Sequence, residues 1–255
     1  MKKAQSLAIS GKPYAQKIYE AVFALAKRAD PVLHPLLRRD NLSNKSLIIL
    51  ISSNKGMCGG LNTNLFRRLF GWYSQKPNLD FIAVGKKGEN FIVHSKWNLM
   101  ASFTSGKSPL EHVSAMISLV VNEFVNGKYK EVAVVYNNFI SALRQEPLKK
   151  QLLPLGISLE EKMNWEEGHF SEFLIEPSYD KLLDALLPHY LENQLREALI
   201  ESEASEHSAR MIAMKNATDN ADDLMKELTL EFNKARQEKI TYEIADMVTA
   251  RMAVE

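Results

Sequence analysis

The last quarter of the sequence lacks the two residues that most often end helices. From His189 to Glu255 there is no glycine and no proline in 67 residues, whereas the whole chain has 11 glycines and 9 prolines. Good helix formers fill this stretch, and Tyr179 to Leu187 before it have a similar composition. The sequence therefore predicts one very long helix, of about 100 Å at 1.5 Å per residue.

Apolar and small residues in this stretch form a narrow seam rather than a broad face. Their successive spacings are 3, 4, 3, 4, 4 and 3 residues, which is typical of a two-stranded coiled coil. The alternative is an ordinary amphipathic helix that is broken into two or three packed pieces. The seam consists of Met214, Ala217, Ala221, Leu224, Leu228, Phe232 and Ala235.

Several other absences exclude whole classes of protein. The single cysteine, Cys58, excludes an intrachain disulfide and suits a reducing compartment. No apolar run approaches the roughly 18 residues needed to cross a bilayer, and no apolar stretch of a signal peptide follows Met1. The six histidines form no H-E-x-x-H motif and no cluster with cysteine, so we expect no metal site. No basic patch with interleaved aromatic residues indicates nucleic-acid binding.

Basic residues are concentrated near the N-terminus of the chain, and acidic residues near its C-terminus. Residues 189–255 carry 8 Lys and Arg against 14 Asp and Glu, and residues 1–45 carry 9 against 3, although the whole chain has a net charge of only +1. The two ends could pair with each other, or each could be a solvated face with its own counterions. Charge alone does not separate these alternatives.

The middle of the chain alternates short apolar runs with amphipathic segments. This order predicts a Rossmann-like α/β domain with parallel strands, inserted between N- and C-terminal long helices that form an antiparallel coiled coil. The predicted domains are 1–40, 41–176 and 177–255. The predicted strands are 46–52, 81–84 and 131–136, with possible edge strands at 148–153 and 173–175, and the predicted helices before the long one are 1–29, 61–74 and 110–126.

A glycine-rich loop, Ser52 to Asn62, follows the first predicted strand. Loops of this kind often cradle phosphates with backbone N–H groups. The spacing is not G-x-G-x-x-G, however, and no acidic residue clearly ends the second strand, so the glycines could serve only a tight turn. We therefore expect no cofactor and no catalytic residue, with a nucleotide-binding α/β enzyme as an alternative.

Three segments carry a resemblance to a known family. Residues 52–62, SSNKGMCGGLN, closely resemble the S-x-x-x-G-L-C-G-G-L-N segment of the γ subunit of F-type ATP synthases. Residues 208–221, SARMIAMKNATDNA, and residues 230–241, LEFNKARQEKIT, resemble that family's C-terminal signature. The motifs occur in the family's order over nearly the whole chain, and Met1 resembles a position roughly thirty residues inside the family's N-terminal helix.

The resemblance implies a rotor shaft without a catalytic site of its own. In that family the terminal helices form a coiled coil inside a hexamer of α and β subunits. The α/β domain lies at the foot, against the ε subunit and the c-subunit ring. Such a subunit is peripheral, at the cytoplasmic face of the bacterial plasma (inner) membrane, and couples proton flow to ATP synthesis or hydrolysis. A free coiled-coil adaptor remains a further alternative.

The resemblance also implies roles for individual residues. Arg236 and Gln237 match residues that contact an acidic loop of β. Cys58 is expected to be a packing residue. Glu197, Glu201, Glu203 and Glu206 are expected to form an exposed acidic face at the foot. The residues of the foot and rotor interface are Lys55, Gly56, Gly59, Gly60, Asn62, Glu201 and Glu203, and we expect an exposed seam at Leu224, Leu228, Phe232 and Ile244.

Overall fold

A computed structural model describes residues 13–14, 17–18, 20–22, 35–37, 43–74, 78–104, 108–155 and 179–253. The chain forms two compact units, Met1–Arg210 and Met211–Glu255, which are described separately. The predicted helix 1–29 lies largely outside the described residues, although residues 13–14, 17–18 and 20–22 are helical. The predicted edge strand 173–175 lies wholly outside them.

The first unit contains a five-stranded sheet in the order β3-β2-β1-β4-β5. Strands β1 to β4 are parallel, and β5 pairs antiparallel with β4 at one edge. The predicted strands in β1, β2 and β4 and the edge strand 148–153 are confirmed. The strands are β1 (Ser46–Ile51), β2 (Leu79–Val84), β3 (Asn98–Phe103), β4 (Glu131–Phe139) and β5 (Gln145–Leu153).

Helices cover both faces of this sheet. They are α1 (Leu61–Tyr73), α2 (Lys86–His94), α3 (Val113–Val125), which follows a 3₁₀ turn at Pro109–His112, and α4 (Tyr179–Met252). Sequence reasoning predicted α1, α3 and α4 but missed α2 and β3. In α2, two lysines and Gly88 interrupt the apolar period, and β3 is only partly buried, so neither has a strong pattern.

The side chains of β1 alternate between two apolar cores. Ile48 and Leu50 pack with residues of α1 and α2, whereas Leu47, Ile49 and Ile51 pack with residues of α3 and α4. Each fully buried side chain of this size contributes about 1.5–3 kcal/mol. The residues that α4 adds to the second core are Leu183, Leu187, Tyr190, Leu191, Leu195, Ala198 and Leu199.

Helix α4 is one continuous element of 74 residues, with Pro188 inside it. The alternative of two or three helical pieces is therefore wrong. The predicted domain boundary at 176/177 differs from the division between compact units, which falls after Arg210. The reason is that the first part of α4 packs into the core of the α/β sheet.

In the second unit, every residue from Lys215 to Ala253 is exposed. The exposed large apolar side chains include Leu224, Leu228, Phe232 and Ile244, as the sequence predicted. In the described part of the chain, no helix has both the length and the apolar character to cross a membrane.

Gly85, between β2 and α2, provides a test of the fold. Its φ is 98°, and an added Cβ would lie 2.1 Å from the backbone oxygen of Ser52. We expect Gly85→Ala to lower the free energy of unfolding by about 3 kcal/mol, because it combines left-handed strain with a backbone clash. Urea unfolding followed by the fluorescence of Trp72 and Trp97 measures this change.

Gly71→Ala is the matched control, since an added Cβ in that turn of α1 meets nothing within 4 Å. It should leave stability unchanged or raise it by about 0.5–1 kcal/mol. Equal urea midpoints for the two variants would contradict the role of Gly85.

Candidate functional site

The loop between β1 and α1, residues 52–60, is held together by its own polar side chains. Ser53 Oγ donates to the Lys55 carbonyl at 2.8 Å, and Asn62 Nδ2 donates to Ser53 Oγ at 2.7 Å and to Cys58 Sγ at 3.3 Å. Cys58 is buried, as expected of a packing residue. Asn62 therefore closes the loop internally from the first turn of α1.

Residues of the same loop also accept hydrogen bonds from the first backbone N–H groups of α2. The amides of Lys86, Lys87 and Gly88 donate to Asn54 Oδ1, the Ser53 carbonyl and Ser52 Oγ, at 3.1, 3.1 and 2.7 Å. A helix N-terminus binds anions through such amides when they are free. The start of α2 is capped from within the protein, so it offers no phosphate cradle.

Arg210 on α4 contacts the outer side of the loop. Its Nε donates to the Gly56 carbonyl at 3.3 Å, and its Nη2 donates to the Lys55 carbonyl at 3.4 Å and to Glu206 Oε1 at 2.6 Å. Two of the segments that were singled out in the sequence, 52–62 and 208–221, therefore meet at Arg210. The i,i+4 spacing of Glu206 and Arg210 indicates an ion pair on one helix face, but not its contact with the loop.

Three further polar contacts join α4 to the strands β4 and β5. Lys150 Nζ lies 3.3 Å from Glu197 Oε2, the Tyr136 hydroxyl donates to Glu201 Oε2 at 3.0 Å, and Ser205 Oγ donates to the Asn137 carbonyl at 3.0 Å. Glu197, Glu201 and Ser205 are spaced four residues apart and lie on successive turns of one helix face. The sequence analysis did not predict the contacts of these three residues with the strands.

The predicted exposed acidic face is wrong for Glu201, which is only 8% exposed. Its carboxylate faces the sheet because Tyr136, a residue of β4, supplies a hydrogen bond there. Glu197 and Glu206 are partly buried and paired with basic groups, whereas Glu203 is exposed and lies 3.6 Å from His207. Of the predicted acidic face, only Glu203 is an exposed residue.

The hydroxyl of Tyr136 is kept protonated by its surroundings. Burial raises its pKa above the ordinary value, and the negative charge of Glu201 and the hydrogen bond to it raise the pKa further. The tyrosine thus remains a hydrogen-bond donor to Glu201 well into the alkaline range.

Arg236 and Gln237, predicted to contact a partner, lie on the exposed part of α4 in the second unit. The seam residues of that unit are exposed too, with Phe232 at 65%.

No group of His, Cys, Asp and Glu among the described residues could hold a metal ion. Among the described residues, α4 is thus packed into the core up to Leu199 and exposed from Lys215 to Ala253.

Comparison with known proteins identifies the class. A family model described as ATP synthase matches residues 1–254. The ATP synthase gamma chain of Legionella pneumophila (strain Corby) is 37% identical over 260 residues, which cover 100% of this chain and 89% of that protein. The ATP synthase gamma chain of Dehalococcoides mccartyi (strain ATCC BAA-2100) is 39% identical over 259 residues, with the same two coverages. The chain belongs to the ATP synthase gamma chain family.

Solved structures have a similar fold. One is the central stalk and c-ring of the Tetrahymena thermophila mitochondrial ATP synthase, with a TM-score of 0.62, 22% identity, and coverage of 86% of this chain and 94% of that chain. Another is the rotor of the Euglena gracilis mitochondrial ATP synthase, with a TM-score of 0.58, 21% identity, and coverage of 94% and 98%.

The buried hydrogen bond between Tyr136 and Glu201 should contribute to stability. We expect Tyr136→Phe to lower the free energy of unfolding by about 1.5–3 kcal/mol, because a buried carboxylate loses a donor. Tyr242→Phe, at an exposed position, should have almost no effect. If Glu201→Gln is added to Tyr136→Phe, the two costs should be less than additive in urea unfolding. Full additivity would argue against the contact.

The raised pKa of Tyr136 also predicts an alkaline instability. Above about pH 10 the unfolded chain releases the phenolic proton while the folded chain keeps it, so stability falls as pH rises through this range. The slope from one such group approaches about 1.4 kcal/mol per pH unit. Urea midpoints measured from pH 8 to pH 11 should fall less steeply for Tyr136→Phe than for the unchanged protein; identical slopes would contradict this.

Proposed function

We propose that this chain is the central-stalk rotor subunit of an F-type ATP synthase. It couples proton flow through the membrane ring to ATP synthesis or hydrolysis on the catalytic head. In that role it is peripheral to the membrane, at the cytoplasmic face of the bacterial plasma membrane.

The observation that carries the proposal is that the first part of α4 is buried in the core whereas the rest of the helix is exposed. Up to Arg210 the helix is held in the core and by polar contacts, whereas from Lys215 to Ala253 it is exposed. Exposed Leu and Phe forgo roughly 1.5–3 kcal/mol each relative to full burial. A row of them on a helix suits contact with other proteins.

The proposed partners follow from this division. The exposed part of α4, with its seam, contacts the hexamer of α and β subunits, and Arg236 and Gln237 contact an acidic loop of β. Arginine suits that role because its planar fork binds a carboxylate through two hydrogen bonds. The α/β unit contacts the ε subunit and the c-subunit ring, with Glu203 and the loop at Lys55 to Asn62 as the candidate surface.

The proposed subunit has no catalytic site of its own, and ATP chemistry belongs to its partners. A nucleotide-binding enzyme is not favoured, because the loop after β1 uses its polar groups internally and caps α2. A free coiled-coil adaptor is not favoured by a family match that extends over residues 1–254.

Arg236→Ala tests the β contact. In ATP synthase complexes assembled with this chain, we expect it to lower coupled ATP turnover roughly threefold, because one charge-assisted contact is lost. The fold should not change, because Arg236 is exposed. Lys239→Ala removes a nearby exposed cation and is the control. Unchanged turnover for Arg236→Ala, or an equal loss for both variants, would count against the assignment.

A further inference from the structure

We infer that Arg210 is a positioning residue, which holds the loop after β1 against α4 so that the loop and the helix turn as one body. This inference rests on the proposed rotor function. It adds to that function a specific joint within the subunit, made by Arg210, Glu206 and the carbonyls of Lys55 and Gly56.

The geometry of the joint suits an arginine. Two different nitrogens of the guanidinium reach two consecutive carbonyls, at 3.3 and 3.4 Å. Lysine has a single charged nitrogen on a flexible stem and does not reproduce this fork. Glu206, one turn earlier, binds the same guanidinium at 2.6 Å and fixes its orientation. Both side chains of the pair are only 23% exposed, so the pair is partly shielded from solvent.

Within the loop, Ser53 Oγ donates to the Lys55 carbonyl at 2.8 Å, but the rest of the tip makes few contacts. An added Cβ at Gly56 would meet nothing within 4 Å, and the side chain of Met57 is 69% exposed. Ser53 and Asn62 fix the base of the loop. Among the described hydrogen bonds, those from Arg210 join Lys55 and Gly56 to an element outside the loop. Arg210 therefore joins the tip of the loop to α4.

The joint lies where the anchored part of α4 ends. Ser208 is the last buried residue of the described helix, and Arg210 is the last residue of its compact unit. A force that acts on the loop is thus passed to α4 at the end of the segment that the α/β unit holds. If the joint is lost, the tip of the loop can move relative to α4, although the core and the contacts of Glu197, Glu201 and Ser205 still hold the helix to the sheet.

Backbone NMR relaxation on the full chain tests the contact itself. We expect the order parameters of residues 54–57 to fall in Arg210→Gln from about 0.85, typical of rigid backbone, to below about 0.6, while those of β1 stay unchanged and report that the fold is intact. Arg210→Lys keeps the charge and can keep the ion pair with Glu206, but it should loosen the loop as well. Arg196→Gln, at an exposed position on the same helix, is the control. An unchanged loop in both Arg210 variants would overturn the inference.

The second measurement compares two activities of complexes assembled with each variant. Arg210→Gln and Arg210→Lys should keep ATP hydrolysis within about twofold and lower ATP-driven proton pumping per ATP about threefold or more, since the joint transmits motion between two elements and takes no part in the chemistry. A loosened loop with normal pumping per ATP would overturn the mechanical role of Arg210. If the unchanged chain fails to assemble or pump, the rotor function fails, and the NMR order parameters still decide whether Arg210 holds the loop.

Discussion

The burial of the first part of α4 against the sheet is the constraint on which the rest of the structure depends. Leu183, Leu187, Leu191 and Leu195 belong to the same core as the residues of β1 and α3. A helix that is exposed along its length gains little from propensity, and its first turn is costly to form. The buried part supplies that first turn and the packing energy. The exposed part can then extend by one hydrogen bond per added residue, which explains how 74 residues form one helix.

Apolar packing alone does not fix how far α4 is rotated or shifted on the sheet, because the hydrophobic effect is not directional. The contacts of Glu197, Glu201 and Ser205 with β4 and β5 are directional, and a shift of the helix by one residue would break all three. A buried carboxylate such as Glu201 is costly without its donor. This cost disfavours other registers, and a subunit that transmits torque requires one register.

The strength of local patterns explains which features the sequence predicts. The long helix and the strands β1, β2 and β4 have strong patterns, and they are present as expected. Helix α2 begins between two glycines, with Lys86 and Lys87 in its first turn, so its short apolar face is not distinctive. The burial of Glu201 depends on Tyr136, which is 65 residues away, and no local period contains that information. The contact of Arg210 with Gly56 spans 154 residues and is equally hidden, although both segments were singled out as motifs.

The glycine-rich loop shows how one motif can have two opposite electrostatic uses. A phosphate-binding loop turns its N–H groups toward an anion. Here the side chains and carbonyl of Ser52, Ser53 and Asn54 accept hydrogen bonds from the amides of α2, and the carbonyls of Lys55 and Gly56 face the guanidinium of Arg210. Toward α4 the loop therefore presents acceptors to a cation, not donors to a phosphate. This arrangement of acceptors suits a joint between two parts of one subunit. The glycines of the loop then serve a tight turn and not nucleotide binding.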